Sequence, residues 1–503
     1  MLCELSFNYL YVISIFFNWG FCMIVVKSSK GGELRVDGYR VRVIEKLRLP
    51  SLDERFKAIE EAGWNTFLLR NDHVFLDMLT DSGVNAMSDK QLAAMIAAQD
   101  SYAGSMTFYE FVKTVKEVLG FEYVLPTHQG RGAEHILAKT FVKPGSVIPM
   151  NYHFTTTKVH FELAGAQVLE LYIDEALKTR STHPFKGNMD PEKLREAIRK
   201  YGKENIPFVR MEATTNLIGG QPFSMENLKT IKQICEEHNI PLVLDGSMID
   251  WNAYLIKQRE KGYKNRSIAE IIKEMCSLAD IFYASARKAM CVRGGFIATN
   301  NKKFIEKMKE WLPVYEGFFT YGGMSIKELG AMAVGLREMV DESLIGTEVE
   351  QIKYFAEKLT KEGVPVVLPP GGLGLHLDAM EFLPHIPQNQ YPAGALAAAL
   401  YIVSGIRAME RGTMSMERDK EGREIFSDLE LVRIAFPRRV YLRSHIDYAV
   451  DRIVWLYEHR NLIKGLKWVY EPPVLRFFLG RLKDVENWGK ELYETYKKEL
   501  GNY

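Results

Sequence analysis

The sequence predicts an α/β fold with a mostly parallel sheet in a large domain and a smaller α+β domain after it, and three observations carry that prediction. From Glu122 to about Gly335, short apolar runs alternate with helical stretches, the pattern of parallel strands covered by helices. The run Pro241-Leu-Val-Leu-Asp245 ends in a carboxylate, at the edge where open α/β sheets bind ligands. After Pro369-Pro-Gly-Gly the texture shifts to shorter strand and helix segments.

A chain of 503 residues is too long for one ordinary core, so more than one domain is expected. Residues 1–35 form a hydrophobic extension and 36–75 an N-terminal arm. Residues 76–345 form the large domain, 346–480 the small one, and 481–503 an amphipathic helix. Within the large domain, Ile206-Pro-Phe-Val-Arg-Met is a candidate strand, like Pro241–Asp245. The helix between them starts at the cap Ser224, carries Glu226 in its first turn, and sets Leu228, Ile231, Ile234 and Cys235 on one face. In the tail, Val485, Trp488, Leu492 and Tyr496 mark the apolar face of the closing helix, docked on the body.

A composition of 47% hydrophobic and 26% charged residues is that of a soluble globular protein, and a net charge of +1 speaks against nucleic acid or an anionic membrane as partner. Cys3, Cys22, Cys235, Cys276 and Cys291 are scattered without CxxC spacing, against a disulfide framework or zinc site and in keeping with a reducing cytoplasm. Residues 5–26 are apolar and near the length of a membrane span, with Glu4 where a signal peptide would carry positive charge. Met23 offers a second start, so an over-extended start is favoured over a membrane anchor, and a signal peptide ranks last.

Four pieces of the large domain make chemical sense together. Pro126-Thr-His-Gln-Gly-Arg-Gly-Ala-Glu134 follows an apolar run, and glycines at a strand-to-helix turn with Arg131 beside them form an anion cradle. In Asn151-Tyr-His-Phe-Thr-Thr-Thr157 an aromatic, Phe154, could stack on a flat ring, although by itself this stretch reads as a threonine-rich strand. Asp245 could hold a protonated pyridine nitrogen. Tyr283-Ala-Ser-Ala-Arg-Lys288 brings a lysine to the same sheet edge, where partial desolvation suits it to a Schiff base. Arg287 and Ser285 could share a phosphate with Gln129, Gly130 and Arg131. Each piece alone has a bland reading; together they specify pyridoxal 5'-phosphate (PLP).

Over roughly residues 50–480 the chain resembles the PLP-dependent β-eliminating lyases, the family of tyrosine phenol-lyase and tryptophanase. The resemblance rests on PTHQGRGAE, LTDSGVNAMSDKQ (79–91), NLIGGQPFSM (216–225), YEGFFTYGGM (315–324), GIRAMERG (405–412) and FPRRVY (436–441). It implies PLP fold type I, the aspartate-aminotransferase type, an amino-acid substrate, a homotetramer built from dimers that share active sites, and activation by potassium. By match, Lys288 is the Schiff-base lysine, Asp245 holds the pyridine nitrogen, Phe154 stacks on the ring, and Asn216 faces its phenolate oxygen. Gln129, Gly130, Arg131, Ser285 and Arg287 hold the phosphate. Arg433 clamps the substrate carboxylate, Tyr102 protonates the leaving ring, and Met409 is a further substrate contact. Arg411, Thr155 and Phe477 match the branch acting on tyrosine, so the expected reaction is L-tyrosine to phenol, pyruvate and ammonia. Gly83 and Asp100 match potassium ligands, Asp100 in place of a glutamate.

The match departs from the family beside the cofactor. Met248 stands where the family has an arginine, Trp251 where it has a glutamate, and Ala289 where it has an aspartate, followed by a loop one residue shorter. Rival readings are therefore tryptophan cleavage to indole, β-elimination on another β-substituted amino acid, and a homologue that binds PLP without turnover.

Overall fold

Seven strands form the central sheet: Tyr123–Thr127 (β1), Val147–Met150 (β2), Gln167–Glu170 (β3), Val209–Glu212 (β4), Leu242–Asp245 (β5), Ile281–Ser285 (β6) and Gly295–Thr299 (β7). They are taken from a computed structural model that describes residues 25–27 and 33–502. The strand order is β1-β7-β6-β5-β4-β2-β3. Strands β6, β5, β4, β2 and β3 run parallel, whereas β7 is antiparallel to both neighbours. Every residue of β4, β5, β6 and β7 is buried, so β5, β6 and β7 read as largely apolar runs, whereas β4 carries Arg210 and Glu212 in the interior.

The parallel directions place the carboxyl ends of β1, β2, β4, β5 and β6 on one edge, so the segments that follow them converge there. The loop from β6 to β7 is residues 286–294 and carries Lys288. Its last residue, Gly294, has φ of +125°, and a Cβ there would lie 2.2 Å from Met324 Sδ. Only glycine permits that turn at that depth.

A three-stranded antiparallel sheet lies in the later half of the chain: Gly374–Asp378 (β8), Met409–Arg411 (β9) and Leu431–Ala435 (β10), in the order β8-β10-β9. Cross-strand register aligns His376 with Arg433 and Arg433 with Met409, so these three side chains share one face. The wholly buried helix Pro392–Ser404 packs against this sheet.

Two expectations about local structure change. Thr155-Thr-Thr157 opens the helix Thr155–Leu163 and is not a strand, because the Thr156 and Thr157 hydroxyls donate to the Glu134 carboxylate of the facing helix, at 2.7 and 2.5 Å. The closing helix spans Trp488–Leu500 rather than 481–503. Arg481–Asp484 pairs as a strand with Leu466–Tyr470, and Glu486 and Asn487 both have positive φ, so no helix can run through them. Trp488, Leu492 and Tyr496 are buried as the pattern requires. The apolar segment 1–22 lies outside the described residues. Among those described, no helix is long and apolar enough to cross a membrane, and Cys235, Cys276 and Cys291 are free and buried.

Arg438, beyond β10, ties the two parts of the chain together. Its guanidinium binds Asp250 of the helix Ile249–Arg259 and Glu348 of the helix Glu342–Lys361, the latter at 3.0 Å, and stacks 3.8 Å from the Trp251 ring. Trp251 donates its indole N–H to the same Glu348, at 3.0 Å. All four side chains are buried. Arg438→Met would leave Asp250 in the interior without its cation and Glu348 with only Arg439, 4.0 Å away, and is expected to cost about 3–5 kcal/mol in a denaturant titration.

Candidate active site

A cavity of about 260 Å³ opens at the carboxyl edge of the central sheet. Its walls include Gln129, Gly130 and Arg131 from the turn after β1, Phe154 at the start of the helix after β2, and Asp245 at the end of β5. Ser285, Arg287 and Lys288 enter after β6, and Met409, Arg411 and Arg433 come from the antiparallel sheet. A larger cleft of about 540 Å³ lies along the helices Ile249–Arg259 and Glu342–Lys361 and contains none of the expected residues.

One end of the cavity is an anion cradle. The helix Gly130–Phe141 begins there without a side-chain cap, its Gly132 N–H turned back to the Gln129 carbonyl and those of Gly130 and Arg131 without a side-chain partner. Gly130 sits so close to β6 that a Cβ would lie 2.9 Å from Ser285 Cβ. Burial, then the charges of Arg293 and Arg131, holds the Arg287 guanidinium below its usual proton affinity, with Glu328 opposing them.

Lys288 is buried, with Nζ 4.9 Å from the centre of the Phe154 ring. Its backbone is held from the segment Ser82–Asn85. Asn85 Nδ2 donates to the carbonyls of Arg287 and Lys288, each at 3.1 Å, and Gly83 N donates to that of Arg287 at 2.9 Å. Gly83 has φ of +80°, and a Cβ on it would strike Arg287 Nη2 at 2.4 Å.

At the sheet edge, Glu212, Asp245 and Tyr283 are consecutive register partners across β4, β5 and β6. Asp245 Oδ2 accepts from Arg210 Nη2 at 2.6 Å and from the Tyr283 hydroxyl at 2.9 Å, while Oδ1 accepts from Ser247 N at 3.0 Å. Glu212 Oε1 accepts from Asn216 N at 3.1 Å, and burial pushes the Glu212 carboxyl up to about 7 despite Arg210.

At the other end stand two buried guanidiniums. Arg433 donates to Asn216 Oδ1 and to the Leu79 carbonyl, each at 2.8 Å, and burial lowers its pKa to about 10. Arg411 donates to Thr155 Oγ1 at 3.2 Å and lies 6.0 Å from the Phe154 ring and 5.9 Å from that of Phe477. Burial, then the charge of Arg433, depresses Arg411 well below its ordinary value. Buried Arg411 Nε, Arg433 Nε and Asn216 Nδ2 have no protein partner among the described residues. Donors left unmade at such cost fit a ligand carrying anionic groups.

Sequence reasoning missed Arg210, Glu212, Tyr283 and Asn85, which touch the expected residues directly. It also missed Glu410 and Glu430, which hold the turn beside Arg411: Thr413 N donates to Glu430 Oε1 at 2.7 Å and the Ser415 hydroxyl to Glu410 Oε2 at 2.6 Å. Six expected residues do not line the cavity: Tyr102, Asp100 and Gly83 lie away from it, and Thr155, Asn216 and Phe477 stand behind its wall in contact with Arg411 or Arg433. Tyr102 is 75% exposed, against Phe318 and Tyr321, and Asp100 beside it is also exposed. Gly83 lies instead against the Arg287 guanidinium, and no cluster of metal-binding side chains occurs among the described residues. Of the departures, Met248 is buried in the cavity wall, Trp251 faces Arg438, and Ala289 is buried under the loop.

An anion cradle at a helix N-terminus, a recessed lysine over an aromatic ring and a carboxylate at a strand end, on this sheet order, define a PLP enzyme of fold type I. The β-eliminating lyase family model matches residues 77–452. Tyrosine phenol-lyase of Symbiobacterium thermophilum is 45% identical over 449 residues, 89% of this chain and 98% of that one. Tyrosine phenol-lyase of Nostoc punctiforme is 44% identical over 447 residues, 88% of this chain and 96% of that one. Among solved structures, serine palmitoyltransferase of Sphingomonas wittichii shares the fold with a TM-score of 0.54 at 13% identity, covering 78% of this chain and 90% of that one. The chain belongs to the β-eliminating lyase family, and it is a PLP-dependent carbon–carbon lyase.

Two outcomes follow from the geometry. Borohydride reduction of the PLP-loaded protein and peptide mapping should place the label on Lys288, and Lys288→Ala should abolish it. Burial and the neighbouring Glu410 raise the Glu430 carboxyl from its usual 4.5 to about 7. A carboxyl raised on folding contributes stability that is fully present below about 4.5 and is lost as pH rises through about 7. Unfolding free energy should therefore fall by something on the order of 3 kcal/mol across that window, and Glu430→Gln should flatten the profile.

Proposed function

We propose that the protein cleaves L-tyrosine to phenol, pyruvate and ammonia by β-elimination, with PLP carried by residues 76–345 and the substrate guanidiniums by residues 346–480. The observation that carries this reading is the Arg411–Thr155 pair at 3.2 Å, set between the Phe154 and Phe477 rings with Arg411 Nε unpartnered. A buried cation with a spare donor suits a ring hydroxyl that must become an oxyanion; an indole has no such group to present.

PLP, when bound, supplies the electron sink that makes the substrate α-proton acidic. Gln129, Gly130, Arg131, Ser285 and Arg287 would hold its phosphate, Phe154 its ring face, Asn216 the ring oxygen and Asp245 the ring nitrogen. The 260 Å³ cavity and its orphaned donors fit that group. Arg433 takes the substrate carboxylate, and its bonds to Asn216 and Leu79 fix the guanidinium plane for a two-point clamp. Lys288 Nζ, covered by Phe154, is placed to move the α-proton. Arg411 and Thr155 stabilise negative charge on the ring oxygen as the ring carbon is protonated, and Met409 and Phe477 exclude water from that end.

The proton for the leaving ring is assigned to Tyr102. Because Tyr102 is exposed in one protomer, this part of the reading takes it from a neighbouring subunit of a homotetramer in which dimers share active sites. Potassium binding at Gly83 and Asp100 has less support, since a guanidinium lies against Gly83, and no step is routed through an ion. A second reading, β-elimination on another β-substituted amino acid, draws on Met248, which gives the cavity wall no charge where the family has an arginine.

Pyruvate release from tyrosine, tryptophan and S-alkylcysteine separates these readings, and pyruvate from the cysteine analogue alone would overturn the first. Arg411→Met should lower kcat/KM for tyrosine by about 10²–10³-fold. S-alkylcysteine, which carries no ring hydroxyl, should be turned over within a few-fold of the unaltered enzyme.

A further inference from the structure

Asp245, assigned above to the cofactor's ring nitrogen, is not a bare carboxylate. A carboxylate offers about four acceptor positions, and three are already used. Oδ2 is taken by Arg210 Nη2 at 2.6 Å and by the Tyr283 hydroxyl at 2.9 Å. The acceptor position left unfilled is on Oδ1, which also accepts from the Ser247 N–H.

Arg210 is fully buried on β4 and does not line the cavity. Each of its nitrogens has a partner: Nε donates to the Tyr283 hydroxyl at 2.9 Å, Nη1 to the Tyr152 carbonyl and Glu212 Oε2 at 3.4 Å, and Nη2 to Glu212 and Asp245. It therefore has no donor left for a ligand and can act on one only through Asp245. The groups around Asp245 are Arg210 and Glu212 from β4, Tyr283 from β6, Glu134 from the helix Gly130–Phe141, and Lys288 from the loop after β6. Three buried carboxylates, Glu134, Glu212 and Asp245, thus surround one buried guanidinium, and the shortest bond it makes to them goes to Asp245.

We propose that Arg210 is a positioning residue that weakens Asp245 as a base, and so lowers the pH at which a ring nitrogen held by Asp245 gives up its proton. A guanidinium at hydrogen-bond distance draws negative charge onto the oxygen it contacts and disfavours protonation of the whole pair. Tyr283 adds to the effect on the same oxygen, with a neutral donor and hence more weakly. Glu212, next in the row, opposes it when ionised. The electron demand of the bound ring is then set by strand β4, behind the site, and not by the cavity wall alone. This inference rests on the placement of the ring nitrogen at Asp245.

The test reconstitutes the enzyme with PLP labelled with nitrogen-15 in the ring and follows that resonance against pH. Arg210→Met should raise the midpoint of ring-nitrogen deprotonation by about one pH unit or more. Tyr283→Phe, which deletes one hydroxyl and keeps the ring that fills the space, should raise it by less. An unchanged midpoint in folded Arg210→Met would overturn the proposal; if that variant does not fold, an unchanged midpoint in Tyr283→Phe overturns it. Asp245→Ala separates the two levels of the argument. If it leaves the resonance unmoved, the placement of the ring at Asp245 fails. If it moves the resonance and Arg210→Met does not, the placement stands and the role of Arg210 falls.

Discussion

Everything at this site depends on keeping charges in a dry interior, and the contact that makes this possible is the guanidinium of Arg210 against Asp245. An isolated carboxylate at the end of a buried strand would take up a proton rather than stay ionised. At Asp245, Arg210 occupies one oxygen and the Ser247 N–H the other. The same guanidinium serves Glu212, whose other oxygen fixes the backbone of Asn216, and Asn216 in turn receives Arg433. A chain of contacts thus runs from the floor of the central sheet to the residue assigned to the substrate carboxylate.

The two ends of the cavity solve opposite problems. At the cradle, backbone N–H groups and Arg287 supply positive potential, which favours an incoming phosphate. At the substrate end, Arg411 and Arg433 are buried without salt bridges, and each depresses the proton affinity of its neighbour or suffers burial alone. A folded protein tolerates this only because the surroundings are rigid. The paired carboxyls Glu410 and Glu430 hold the turn at Arg411, and Arg438 with Asp250, Glu348 and Trp251 locks the two parts of the chain together. Asn85 performs the same task for the backbone of Lys288.

Much of this was legible in the sequence wherever a function needs a local pattern. Glycines at the turn after β1, a carboxylate ending PLVLD and a lysine before a double glycine are short-range requirements of chain geometry, so they stand out in the linear text. The same holds for the amphipathic tail, where Trp488, Leu492 and Tyr496 are buried as read, although Val485 is half-buried and precedes the helix. Where a residue's role depends on a partner far along the chain, the text is silent. Thr155-Thr-Thr157 reads as a strand by β-branching, and becomes a helix start because Glu134 accepts two of its hydroxyls.

Alone, then, the sequence determined the alternating α/β architecture and the cofactor class, because strand-end position and backbone turns are encoded within a few residues. Only the tertiary structure decided the electrostatics. Arg210 and Glu212 look like flaws in an apolar strand until register sets Glu212 beside Asp245 and Tyr283. Nothing in the order of residues shows that Tyr102 lies exposed against Phe318 and Tyr321. Coulomb interactions act through space, over distances that the order of residues along a chain does not record.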